Sequence, residues 1–219
     1  MSTVVNPFII PATSGGGDFE VVPAGNHRGV LVALVDVGTH WESFAGKAPK
    51  PVRKIQLHFE LVDEKNSKGT NHIIGAEYSV AGSPKASIRL LMSKWRGKDY
   101  GETEEINLLA ALGKSCLVNV ANTSGKNDKT YANLAGVSRL PKGMEAGTPT
   151  HKPFAWFIGS GEKYPNPDWL PYVFGQSALE KMNESDELKG EHAPSNEPGD
   201  QDDDGGDHMQ GSNDDTIPF

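Results

Sequence analysis

Hydrophobic and polar positions divide most of the chain into short periodic blocks. From residue 27 to 37 the run Gly29-Val30-Leu31-Val32-Ala33-Leu34-Val35 is apolar and rich in β-branched side chains, the pattern of a strand covered on both faces. Residues 52–63 alternate instead. Ile55, Leu57, Phe59 and Leu61 point one way and Lys54, Gln56, His58 and Glu60 the other, which predicts a half-buried strand. A third strand is expected over 70–80, around Ile73, Ile74 and Tyr78. The period then changes: Ile88, Leu91, Met92 and Trp95 fall at i, i+3, i+4 and i+7, a helix stripe stopped by Gly97 that assigns Trp95 to the core. A second short helix is expected over 104–112, two more strands over 114–121 and 129–140, and a short helix over 171–182.

Three strands, a helical insert and two further strands is the order of an OB-fold, a mainly β, five-stranded barrel whose helix lies between the third and fourth strands. A small β-sandwich or an SH3-like barrel would show similar strands. Around this body, residues 1–24 read as an irregular arm, with Pro7, Pro11 and the joint Ser14-Gly15-Gly16-Gly17. Residues 25–183 form the expected domain, and 184–219 a disordered tail.

Charge separates the tail from the body. Residues 184–219 carry twelve acids against Lys189 alone, a net of −11, which leaves +3 on residues 1–183 of a chain that totals −8. Such a tail buries too little apolar surface to offset the entropy of ordering. Its thirty-six residues reach about 30–36 Å as a flexible chain, far enough to return across the body and compete for a basic groove. One cysteine, Cys116, forms no internal disulfide or cysteine-rich zinc site and reads as a small core residue. No apolar run is long enough for a membrane helix, and no charged n-region precedes an apolar one at the start. A soluble, cytoplasmic protein of a bacterium or an infected host cell is expected.

The tail closes on Asp214-Asp215-Thr216-Ile217-Pro218-Phe219. This stretch resembles the Asp-Asp-Asp-Ile-Pro-Phe tip that ends bacterial single-stranded-DNA-binding proteins. Five of six positions match, and Thr216 stands where that family has a third Asp. In that family the tip recruits replication and repair enzymes, so the resemblance implies a partner-docking role for Asp214, Asp215, Ile217, Pro218 and Phe219. The chemistry agrees: acids steer towards a basic partner, and Phe219 with its carboxylate fits an apolar pocket beside a cation. The body lacks the opening strand motif of the bacterial proteins. It is similar to the OB-fold single-stranded-DNA-binding proteins of tailed phages in Ser87-Ile88-Arg89-Leu90 leading to Lys94-Trp95-Arg96-Gly97.

Single strands are held by cations that follow the phosphates and by rings on which bases stack. Residues 39–54 are expected to form the first loop of the barrel, and they set Trp41 and Phe44 beside Lys47, Lys50, Arg53 and Lys54. His58 extends the polar face of the second strand. The turn before the last strand adds Lys126 and Lys129, with Tyr131 just inside it. Arg96 and Lys98 are further exposed cations, and Tyr78 is expected to be structural. Alternatively, Trp41 and Phe44 fold back as caps on the core.

Catalytic signatures are incomplete. His58-Phe59-Glu60 fits H-x-E, but no Cys-x-x-Cys follows, and Gly159-Ser160-Gly161-Glu162-Lys163 lacks phosphate-loop spacing. No cofactor or metal site is expected. The chain thus reads as a non-enzymatic, sequence-independent binder of single-stranded DNA in replication, recombination or repair, open to homo-oligomerisation, whose tail recruits a polymerase, helicase or primase. An OB-fold adaptor that binds proteins only, and an annealing recombinase or nuclease carrying a similar tip, are the alternatives.

Overall fold

The computed structural model describes residues 20–43, 46–125 and 129–189. Six strands make one mainly antiparallel sheet: β1 (Gly25–Glu42), β2 (Lys50–Lys65), β3 (Asn71–Ser79), β4 (Ser115–Ser124), β5 (Thr130–Ser138) and β6 (Phe154–Trp156). The order is β3-β2-β1-β4-β5, and β6 lies parallel to β1. The long β1 serves two neighbours along one edge. Residues 25–30 pair with β4, and Ala33 to Val35 pair with β6. Its other edge pairs with β2 from Gly29 to Glu42, with register shifts at Leu31/Ala33 and Asp36/Gly38. Such irregularities bend and twist a strand, which lets β1 turn from one neighbour to the next. The expected closed barrel is not formed. β3 and β5 come near each other, but no ladder joins them among the described residues.

One face of the sheet carries the main core. Leu31, Leu57, Phe59, Leu61, Ile74, Cys116 and Val118 pack against α1 (Ser87–Arg96), which contributes Ile88, Leu91, Met92 and Trp95. The stripe read from the sequence is therefore the buried face of the helix. Trp95 meets Phe59 with ring centroids 5.6 Å apart and donates its indole N–H to Ser115 O at 3.2 Å. Gly97 ends α1 in the left-handed region at φ 74°, where a side chain would be strained. Residues 104–112 give only a 3₁₀ turn, Leu108–Ala111, in place of the expected helix. The buried Arg89 takes Glu104 O and Gly101 O at 3.1 and 2.6 Å. In an α-helix starting at residue 104, Glu104 O would also accept from Leu108 N.

The opposite face is covered as well, and this corrects the half-buried reading of β2. Gln56, His58 and Glu60 are all fully buried. A strap of residues 150–189 lies over them, holding β6, α2 (Ala178–Asn183) and α3 (Asp186–Lys189). Beneath it Ala33, Val35 and Val37 pack with Tyr164, Ala178 and Met182, flanked by Phe154, Trp156, Trp169 and Leu170. Glu60 fastens one end of the strap, accepting from the backbone N–H groups of Thr150 (2.6 Å) and His151 (3.0 Å), from Asn71 (2.6 Å) and from the His151 ring. Burial would raise its pKa, but these donors together hold the carboxyl below its ordinary value.

The helix expected over 171–182 starts only at Ala178. Ser177 caps it in a reciprocal box with Glu180. The residues before it make a tight turn bridged by Val173 and Gln176, with Phe174 and Gly175 at positive φ. Both expected domain boundaries fall inside packed structure. Val22 is buried and Glu20 accepts from Ser67 N at 2.6 Å, while at the other end Ser185 is fully buried. No helix among the described residues is long and apolar enough to cross a membrane.

Candidate nucleic-acid interface

The stretch expected as a loop is mostly strand. β1 runs on through Thr39, His40, Trp41 and Glu42, paired in register with Arg53, Val52, Pro51 and Lys50, so only residues 43–49 connect the two arms. β-Branched Thr39 and Val52 and the ring of Trp41 suit a twisted two-stranded ribbon. A groove of about 840 Å³ runs beside this ribbon to the end of β3, lined by Glu42, Lys47, Lys50, Arg53 and Val80 among others. Lys47 and Lys50 are exposed there and donate to no acidic partner among the described residues.

The other cations of the ribbon are engaged. Lys54 Nζ lies 2.8 Å from Glu42 Oε1, with little of its side chain open to solvent. Arg53 is held by Asp36 through Nε (3.1 Å) and Nη2 (2.5 Å), and its Nη1 reaches Glu187 Oε1 at 3.3 Å. The Asp36 hydrogen bond raises the Arg53 pKa above its ordinary value. Trp41 is half-buried and donates its indole N–H to Asp186 Oδ2 at 2.7 Å. Asp36 also accepts from Ile158 N at 3.1 Å, which brings the neighbouring Phe157, 58% exposed, to the same corner.

His58 does not join this surface. The expectation of a phosphate contact fails because the ring is sealed under the strap. A Cβ on Gly75 would come within 2.6 Å of His58 Nδ1 and 2.9 Å of Val173 Cγ2. Neither ring nitrogen has a hydrogen-bond partner, and burial pushes the pKa down to about 3. The imidazole is neutral at pH 7.

The turn carrying Lys129 and Tyr131 lies elsewhere. β4 runs antiparallel to the first half of β1, pairing Val120 with Gly25, so its exit turn falls beyond the start of β1 while Trp41 lies near the end. Lys129 is exposed and Tyr131 is 52% exposed, its ring lying against Gly125. Phe44, Lys126 and the docking stretch Asp214, Asp215, Ile217, Pro218 and Phe219 lie outside the described residues.

Elsewhere, Arg96 is bound to Glu104 and stacks over Tyr100 at 3.5 Å, so its charge is spent within the fold. Tyr78 packs against the main core, and Cys116 is buried with its thiol pushed up to about 12. Among the described residues no cluster of histidine, cysteine and acidic side chains has the makings of a metal site. Sequence reasoning missed Thr39, Asp36, Phe157, Asp186 and Glu187. The acids 186 and 187 were counted with the tail, and only their contacts assign them to the ribbon. Searches against family models, curated proteins and solved structures return no match for the chain.

Proposed function

We propose that the protein binds single-stranded DNA without sequence preference and without catalysis. The observation that carries this reading is the groove beside the β1–β2 ribbon, where Lys47 and Lys50 stand exposed and Arg53 joins the lining. Spaced cations along an open groove suit a phosphodiester backbone, and Trp41, beside the lining residue Glu42 on β1, offers a ring for a base. The fold is read as an OB-fold opened at its seam. The strand order β3-β2-β1-β4-β5, with α1 between β3 and β4 in sequence, supports that reading. The sequence 214–219 supports recruitment of a replication or repair enzyme by the tail.

A second reading, a protein-binding adaptor, draws on the acids that neutralise Lys54 and Arg53 within the ribbon. Titration of the full chain with poly(dT) and with duplex DNA separates the two. Saturable, salt-sensitive binding to poly(dT), weaker on duplex and reduced by Lys47→Ala with Lys50→Ala, is the expected result. Absence of binding to poly(dT) at low salt leaves the adaptor.

A further inference from the structure

Four donors at the end of the ribbon converge on two carboxylates of α3. Thr39 N and Thr39 Oγ1 donate to Glu187 at 2.8 and 2.7 Å, and Arg53 Nη1 joins them at 3.3 Å. Trp41 Nε1 donates to the adjacent Asp186 at 2.7 Å. Thr39 and Trp41 are two residues apart on one strand and so share a face, and Arg53 stands opposite Thr39 in register. The guanidinium is already oriented by its two bonds to Asp36, which leave Nη1 aimed at Glu187. A backbone amide, a hydroxyl and an oriented guanidinium around one oxyanion is the donor set that receives a phosphate group. Here the oxyanion is the protein's own.

The segment that supplies it is short and lies at the surface. α3 has four residues and none is buried. Ser185, which seats the segment against Gly38, is buried with its hydroxyl unpartnered. Arg53 belongs both to this donor set and to the lining of the Lys47–Lys50 groove, which sets the two next to each other.

We propose that Thr39, Trp41 and Arg53 form a phosphodiester subsite of the groove, occupied in the free protein by Asp186 and Glu187 as built-in stand-ins for phosphate. The ligand class rests on the single-stranded-DNA reading above. Entry of the strand displaces the two carboxylates and releases the Trp41 indole to stack on a base. This gate is built from Asp186 and Glu187 alone.

The test uses the full chain, so those later acids stay in place. An Asp186→Asn, Glu187→Gln double variant should bind a thymidine oligonucleotide about tenfold more tightly at low salt, the scale of a typical coupling between sites. The gain should shrink as salt rises and vanish when Thr39→Val and Arg53→Ala are added. Unchanged affinity, or a gain that survives Arg53→Ala, overturns the proposal. Inorganic tripolyphosphate is the second probe. If no form binds the oligonucleotide but the double variant takes up tripolyphosphate in an Arg53-dependent way, the DNA reading fails while the anion site stands. If tripolyphosphate is not bound either, the site falls too. Should the double variant not fold, the Thr39 amide and Trp41 indole resonances of the parent carry the test. Both should shift on saturation with the oligonucleotide, and unmoved resonances overturn the idea.

Discussion

His58 shows what one residue contributes when its surroundings are decided at long range. Its imidazole is buried, neutral and without partners, and its pKa falls from the ordinary 6.5 to about 3. Because the folded value is depressed, the unfolded chain takes up a proton below pH 6.5 that the folded chain refuses. Stability is therefore full above pH 6.5 and is lost as pH falls towards 3. The lowered carboxyls, Glu60 and Glu187 among them, act only below about 4.5, so His58 governs the interval between. At pH 5 the loss is on the order of 2 kcal/mol. Urea unfolding at pH 7 and pH 5 should show this drop in the parent and a much smaller one in His58→Leu. Lys47 and Lys50 make the opposite case, two exposed side chains whose value lies only in their charge. Replacing both by Ala should leave the melting temperature unchanged and lower the salt slope of single-strand binding by about 0.7 for each phosphate contact removed. An unchanged slope would separate these lysines from the DNA path.

Among the elements, the strap is what covers the second face of the sheet. It packs Met182, 1% exposed, into the pocket formed by Ala33, Val35 and Val37. Met182→Ala should cost about 2–5 kcal/mol, as truncation of a buried side chain does, and hydrogen exchange should rise first in residues 150–189. Gly38 sits at the register shift in β1 with φ 85°. A Cβ there would meet Ser185 Cβ at 2.4 Å and Glu187 Oε2 at 2.8 Å. Gly38→Ala should thus push α3 off the ribbon while the main core stays folded. Loss of the Thr39–Glu187 contact without loss of the Trp95 environment, followed by amide and indole resonances, is the expected signature.

For the whole molecule, the charge balance shifts when it is counted from Lys189, where the described residues end. Residues 190–219 hold nine acids and no lysine or arginine, a net of −9, which leaves +1 on residues 1–189. Residues 1–189 are thus nearly neutral, and the exposed Lys47 and Lys50 beside the ribbon are a local concentration of charge. Two truncations distinguish the roles of the acidic stretches. A chain ending at Lys189 should keep its melting temperature, and any gain in affinity for poly(dT) should disappear at high salt. A chain ending at Asn183 loses Ser185, Asp186 and Glu187 together. It should melt lower and bind more tightly than the Lys189 form. Equal melting temperatures for the two would remove 184–189 from the folded body.

What depends on near neighbours along the chain was legible in the residues themselves. Alternation at Ile55, Leu57, Phe59 and Leu61, the stripe from Ile88 to Trp95 and the stop at Gly97 each report a local period that any fold must satisfy. These gave five of the six strands, α1 and most of the main core, with Trp95 correctly inside, while the short β6 was not expected. The concentration of Lys47, Lys50, Arg53 and Trp41 on one stretch was legible for the same reason. Tertiary structure alone decided what covers each face. Polar His58 and Glu60 read as solvent-facing because alternation reports one buried face and is silent about a segment arriving from ninety residues away to bury the other. Residues 104–112 likewise hold only a 3₁₀ turn, beside a contact in which Arg89 donates to Gly101 O and Glu104 O. The state of the ribbon is the clearest instance. That Arg53 and Trp41 are already bonded to Glu187 and Asp186 follows from a contact across more than a hundred residues, and no local pattern encodes where a distant carboxylate comes to rest.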